Sequence, residues 1–396
     1  MRRAALVTVV AVVAVLFAAV APTAGADSAG RLRELTLHSD GVGDVDVRIL
    51  LPAGYDDPAR AATRYPVLYL LHGMSGDETD WTDLTDVEEL TAPHDLIVVM
   101  PDGGRDGFYS DWLVGPQWET FHIGELIPFV DENYRTVATR QARAIAGLSM
   151  GGYGAMVYAA RHPDLFVAAA SFSGAVDIAD LGAVEGIGLE LLLNAGPRWG
   201  PFVTNEINWR DHNPPDLGTN LRGMRVDIFA GNGVPRAGDN ALSTPVEVAT
   251  YTMSTALHVR LRADGVAHGW HDYGPGTHEW HYWQADLHQW LPIVLATFAA
   301  PPSRPEAFDY RTARPSFSVD DWSFTVERAA REFVDLTGVS VSGLTLRGSG
   351  AVDVVTPPSY EPGATYEVAV RQASGPVSPG DIVGPLSSVK ARAPRA

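Results

Sequence analysis

Cysteine is absent from the 396 residues. That excludes disulfides, cysteine-zinc sites and a cysteine nucleophile. Export usually permits disulfides, so an exported chain of this size without them must rely on its core. Positive charge is also scarce. There are 29 lysines and arginines against 48 aspartates and glutamates, giving a formal charge of −19 and a pI near 4.9. No basic stripe is available for a phosphate backbone, so no nucleic-acid partner is expected. The acidic surface also opposes docking on anionic lipid heads.

Long apolar runs are lacking beyond the N-terminus. There, Arg2 and Arg3 precede the run Ala4–Val20, which only Thr8 interrupts, and Ala24-Gly25-Ala26 follows. A positive start, a short apolar stretch and small residues at its end are the pattern of a secretory signal peptide over residues 1–26. The run falls short of the roughly 20 apolar residues of a spanning helix. Cleavage would remove both arginines, take the charge from −19 to −21, and release a secreted, extracellular protein.

Hydrophobic residues make up 46% of the chain, enough for a sizeable core. Two strands, Leu32–His38 and Val45–Leu51, flank the turn Asp40-Gly41-Val42-Gly43-Asp44. Five further apolar runs read as strands: Tyr65–Leu71, Leu96–Met100, Ala142–Leu148, Val167–Phe172 and Val226–Ala230. Helical spacing lies between several of them, notably over Trp118–Asn133. Unbroken apolar strands alternating with helices predict an α/β fold with a doubly wound, mostly parallel sheet over residues 27–300. Its active site should lie beyond the carboxyl ends of the strands. A last helical pattern runs from Glu279 to about Phe298, and Pro292 should kink or stop it. Ala300–Pro305 then reads as a stiff linker. In residues 301–396 the texture changes to short alternating runs: Trp322–Val326, Val339–Leu346 and Thr365–Val370. Turns such as Arg347-Gly348-Ser349-Gly350 and Glu361-Pro362-Gly363 divide them. These predict a small all-β, sandwich-like module, with a poorly ordered tail after about Ser374.

The chemistry centres on Gly147-Leu148-Ser149-Met150-Gly151, where an apolar strand runs straight into the helical pattern Tyr153–Ala160. This is the strand–turn–helix context of a nucleophile elbow. Such a turn strains the serine backbone and leaves room only for small neighbours. It also aims the free N–H groups of a helix N-terminus at a developing oxyanion. A serine hydroxyl needs a histidine base, and the base needs an orienting acid, in the chain order serine, acid, histidine. The downstream histidines are His258, His268, His271, His278, His281 and His288. His278 follows the loop Gly274-Pro275-Gly276-Thr277 and precedes a helix, which frees its ring to face Ser149. His281 and His288 sit seven apart on that helix, as packing or surface residues would. A metal site is the other use of such a stretch, but His-Glu-x-x-His does not occur, and neither metal nor cofactor is expected. Asp239 and Glu247 both follow Gly231-Asn232-Gly233, and the residues alone leave the choice of acid open. The oxyanion donors should be the N–H groups of Met150 and of the loop His72-Gly73-Met74, with Met74 the choice there.

In series, Tyr69–Met74, Met100–Gly104 with Phe108–Trp112, Trp118–Phe121, Gly147–Gly152, Gly231–Gly233, Gly238–Asn240 and Gly276–Trp280 resemble the esterase D family of α/β-hydrolases. They are most similar to its secreted antigen 85 type mycolyltransferase branch. The resemblance spans roughly residues 65–295. It implies a triad of Ser149, Glu247 and His278, favouring Glu247 over Asp239. It implies Met74 as an oxyanion donor and places Trp112 and Trp280 near the acyl and acceptor pocket. Those mycolyltransferases carry Asp-Gly with an arginine soon after, where this chain has His72-Gly73-Met74-Ser75. His-Gly is the form of the simple esterases. The expectation is therefore a secreted serine esterase acting on a small-molecule or glycolipid ester. The alternatives are acyl transfer to a sugar or glycerol hydroxyl, or a non-catalytic cell-wall binding protein that contacts glycan through residues 301–396.

Overall fold

The computed structural model describes residues 30–179 and 196–357, and the backbone of 386–392. The signal segment 1–26, the run Thr365–Val370 and the turn Glu361-Pro362-Gly363 lie outside the described residues. Among those described, no helix is long and apolar enough to cross a membrane.

Eight strands form one sheet in the order β1-β2-β4-β3-β5-β6-β7-β8. They are β1 (Leu32–Ser39), β2 (Gly43–Leu50), β3 (Val67–Leu71), β4 (Ile97–Pro101), β5 (Arg143–Leu148), β6 (Ala168–Phe172), β7 (Arg225–Ala230) and β8 (Gly269–Asp272). The hairpin β1–β2 joins the rest antiparallel through β4, and β3 to β8 pair in parallel. The helices are α1 (Asp80–Leu84), α2 (Val87–Thr91), α3 (Ile127–Asn133), α4 (Met150–Arg161), α5 (Gly196–Trp199), α6 (Phe202–Arg210), α7 (Thr244–Ala263) and α8 (Trp280–Ala299).

The strand period of two divides each central strand between two cores. Val67, Tyr69 and Leu71 of β3 pack with α4, the segment around Phe121 and Leu126, and Leu257 and Leu261 of α7. Leu68 and Leu70 pack on the other face with Trp81, Val87 and α8, through Trp283, Leu287, Trp290 and Val294. Three layers result, with the sheet buried on both sides, as the unbroken apolar strands require.

Several elements differ from the sequence reading. The segment from Thr120 winds first as a π-helix to Leu126, and only then continues as α3. α8 runs on through Pro292 rather than stopping there. The missing N–H is offset by packing, since Trp290, Leu291 and Val294 around it are buried against the sheet. β8, with the sequence Gly-Trp-His-Asp, carries none of the apolar signal of the inner strands because it lies at the sheet edge.

Beyond α8 the chain forms β9 (Phe308–Thr312), β10 (Ser316–Val319), β11 (Trp322–Glu327), β12 (Val334–Ser340), β13 (Gly343–Arg347), β14 (Gly350–Val355) and β15 (Leu386–Arg392). These build a four-stranded sheet β10-β11-β14-β15 and a three-stranded sheet β13-β12-β9. Phe317, Phe324, Val334, Leu336 and Val352 fill the space between them. Within the tail expected to be poorly ordered after about Ser374, 386–392 instead pairs in parallel with β14, and the rest of that tail lies outside the described residues.

Candidate active site

The sheet delivers three loops to one point. β5 ends at Leu148, and α4 begins at Met150. Between them Ser149 takes φ 52° and ψ −116°. That conformation costs a non-glycine residue about 1–3 kcal/mol and survives only where the surroundings fix it. Here they do. A Cβ on Gly147 would come within 2.5 Å of the Gly151 backbone, and one on Gly151 within 2.4 Å of Leu71 O. The turn therefore closes only with glycine on both sides. Every residue of α4 is buried, while Ser149 itself stays partly exposed.

His278 follows β8 in the loop before α8. Its Nε2 lies 2.8 Å from Ser149 Oγ, and its Nδ1 lies 2.7 Å from Glu247 Oε2. The network fixes the tautomer: Nδ1–H donates to the carboxylate, and Nε2 accepts from the serine hydroxyl. Trp283 stands edge-on to the imidazole at 4.8 Å between centroids and limits its swing.

Glu247 comes from the first turn of α7, after β7. It is fully buried, and hydrogen bonds offset the desolvation of its charge. Oε1 accepts from Gly231 N–H at 2.8 Å and from Ser173 Oγ–H at 2.7 Å, and Oε2 also receives Thr250 Oγ1 at 3.4 Å. The helix N-terminus adds favourable potential. Asp239 goes elsewhere. It accepts from Tyr282 Oη at 2.8 Å and from Arg236 N–H at 2.6 Å, and lies 3.4 Å from His281.

The loop after β3 passes beside the serine. A Cβ on Gly73 would stand 3.6 Å from Ser149 Cβ, which puts Gly73 against the elbow, with Met74 the next residue of the loop. His72 braces this loop from beneath. Its buried ring donates through Nδ1–H to Gly73 O at 2.7 Å and accepts Gly103 N–H on Nε2 at 2.7 Å. Tyr109 Oη donates to His72 O at 3.0 Å. Met150 opens α4, where first-turn N–H groups have no helical partner.

The remaining candidates are spread around this centre. Trp280 packs against Trp81 at 5.4 Å and Trp283 at 5.2 Å, one ring away from His278. Trp112 covers the buried Arg198 guanidinium at 4.7 Å and donates Nε1–H to Gly107 O. His258 pairs with His268, His271 with Asp227, and His288 with Asp86, so none of them reaches the serine. Among the described residues, no three His, Asp or Glu side chains are grouped to hold a metal ion. Sequence reasoning missed Ser173 and Tyr109. Ser173 carries no local signal, and Tyr109, though inside the matching stretch Phe108–Trp112, acquires its partner His72 only in the fold.

The Esterase family profile matches residues 42–293, the stretch that supplies every group above. The chain belongs to the Esterase family. Its esterase domain is 36% identical over 242 residues to Esterase Rv1288 of Mycobacterium tuberculosis H37Rv, covering 59% of this chain and 52% of that one. It is 34% identical over 187 residues to the diacylglycerol acyltransferase/mycolyltransferase Ag85A of Mycobacterium leprae, covering 43% and 56%. The chain thus spans about half the length of the curated relatives it matches. Among solved structures, it is similar to MPT51 of M. tuberculosis, with a TM-score of 0.57 and 25% identity over 67% of this chain and 98% of that one. It is also similar to a ferulic acid esterase, with a TM-score of 0.51 and 27% identity over 66% and 97%. The two solved structures share the α/β-hydrolase fold described above.

Proposed function

We propose that this protein is a secreted serine esterase that cleaves carboxylic esters through an acyl-enzyme. The observation that carries the reading is the hydrogen-bonded line from Glu247 through His278 to Ser149 on a strained elbow. Ser149 Oγ attacks the ester carbonyl while His278 Nε2 takes its proton. Glu247 holds the ring and stabilises the imidazolium that forms. The N–H groups of Met74 and Met150 receive the oxyanion. The alkoxide leaves with the proton held by His278, and water, deprotonated by the same nitrogen, releases the acid. Trp280, partly exposed and held edge-on by the buried Trp81 and Trp283, supplies an apolar surface for the acyl or alcohol part.

Acyl transfer is the second reading, supported by the likeness to Ag85A, and uses the same residues with a sugar or glycerol hydroxyl in place of water. Both readings predict labelling of Ser149 by a fluorophosphonate and turnover of short p-nitrophenyl esters. Equal turnover by wild type and Ser149→Ala would end both. Added glycerol or trehalose separates them: an acylated alcohol identifies a transferase, and free acid alone a hydrolase.

A further inference from the structure

The last turn of the nucleophile helix α4 is held by the C-terminal β module. Four carbonyls at any helix end lack helical partners and usually turn to water. Here the Arg161 carbonyl accepts from Tyr310 Oη at 2.7 Å and from Arg314 Nη2 at 3.1 Å, both residues of the module. Arg314 Nη2 also donates to Tyr310 Oη at 2.7 Å, which ties the two donors together. The Ala160 carbonyl accepts from Asn220 Nδ2 at 2.9 Å. Asn220 in turn clasps the backbone of Arg311 in β9, taking its N–H at 2.7 Å and giving to its carbonyl at 2.9 Å.

The Arg161 side chain makes the second half of the joint. It is buried and donates to Glu119 Oε1 at 2.9 Å, and to Asp211 at both its carbonyl and its carboxylate. Asp211, fully buried, accepts Ala313 N–H at 2.6 Å and Thr312 Oγ1 at 3.1 Å, and meets Arg331 at 3.2 Å. Residues of β9 and of the loops after β9 and β11 thus complete a buried ionic network whose hub is the final residue of α4. A buried network with every member paired has one geometry, and removing one partner strands a charge.

We propose that residues 310–331 of the module are a positioning element for the Ser149 chemistry, through this grip on the far end of α4. The elbow strain needs a helix that cannot shift. α4 is wedged at its N-terminus by Gly147 and Gly151, and locked at its C-terminus by Tyr310, Arg314 and the Asp211 network. The grip does not touch substrate. It acts by keeping the Met150 N–H and Ser149 Oγ in register with His278, where displacement by 1 Å can cost about a hundredfold in rate.

This inference rests on Ser149 being the nucleophile, and the test keeps the two apart. In the full chain, Tyr310→Phe combined with Arg314→Gln removes both donors to the Arg161 carbonyl. Val352→Ala, in the module core away from α4, serves as a destabilised control. At a temperature where all three proteins are folded, the double variant is expected to lose kcat on the order of tenfold. Its KM should stay within about twofold, and fluorophosphonate labelling should slow in parallel, while the control keeps its kcat. Retention of kcat by the double variant overturns the proposal, and so does an equal loss in the control. A Ser149→Ala protein with full turnover fails the parent reading instead.

Discussion

Ser173 Oγ and Glu247 Oε1 lie 2.7 Å apart, on the side of the carboxylate away from His278. Ser173 itself sits at φ +48° just past the end of β6, a backbone conformation that few non-glycine residues adopt. With Gly231 N–H it fixes the plane of the carboxylate, which in turn fixes the imidazole.

Removing that hydroxyl should leave the fold and weaken the base. Ser173→Ala is expected to reduce kcat about tenfold with KM little changed, since one neutral donor to a buried carboxylate is lost while Gly231 N–H and the longer contact from Thr250 remain. Steady-state kinetics on a p-nitrophenyl ester reads this. Unchanged kcat would show that Gly231 N–H and Thr250 suffice to orient Glu247.

Glu247→Gln should be far more damaging, on the order of 10⁴-fold in kcat, because an amide can hold the ring in the wrong tautomer. Asp239→Asn should stay within a few-fold of wild type, as its partners are Tyr282 and Arg236. A larger loss in the second variant would reverse the assignment of the acid.

Gly151→Ala is expected to lower stability by at least about 1–3 kcal/mol, the usual cost of overpacking, because its Cβ would sit 2.4 Å from Leu71 O. Denaturant melts measure this. A stable, fully active variant would mean that the elbow is looser than its geometry.

Acid should work against two buried imidazoles in the range where histidine normally titrates. Burial pushes His122 and His212 down to about 4 from 6.5. Below pH 6.5 the unfolded chain binds these two protons and the folded chain does not, so stability falls as pH falls toward 4. Each group contributes up to about 1.4 kcal/mol per pH unit. Asp80 works against them, since burial raises it to about 6 and its folded form takes up a proton first. Asp286 acts with Asp80, since burial raises it well above the usual carboxylate range and its folded form keeps a proton. The imidazole effect is therefore read by difference: between pH 7 and pH 5 the Tm of His212→Asn should fall less, or rise more, than that of wild type. An identical pH dependence in the two proteins would mean that the His212 imidazole is not held neutral.

Asp211→Ala should cost up to about 3–5 kcal/mol, because it leaves the buried Arg161 with Glu119 as its remaining carboxylate partner and releases Ala313 N–H. Thermal melts read the effect. A loss below about 1 kcal/mol would mean that water replaces the carboxylate.

Much of this was legible in the residues. The inner strands declared themselves because burial on both faces demands unbroken apolar runs. The elbow declared itself because only glycine fits beside Ser149. His278 stood out by its loop. The acid did not, since Glu247 and Asp239 follow the same strand and differ only in which way the chain carries them. The family resemblance favoured Glu247 where local pattern left the choice open. β8 was missed because an edge strand needs no apolar pattern, and Pro292 misled because packing against the sheet outweighs one absent donor. The network at Arg161 was beyond reach, as its members are separated by up to 212 positions, from Glu119 to Arg331.

α4 has a further consequence through its length. Twelve residues at 1.5 Å each put the module's contacts with Arg161 about 18 Å from Ser149, at the opposite rim of the sheet. An enzyme captured on a solid support through its β module would therefore turn its mouth toward the bulk liquid, free to meet large or aggregated esters.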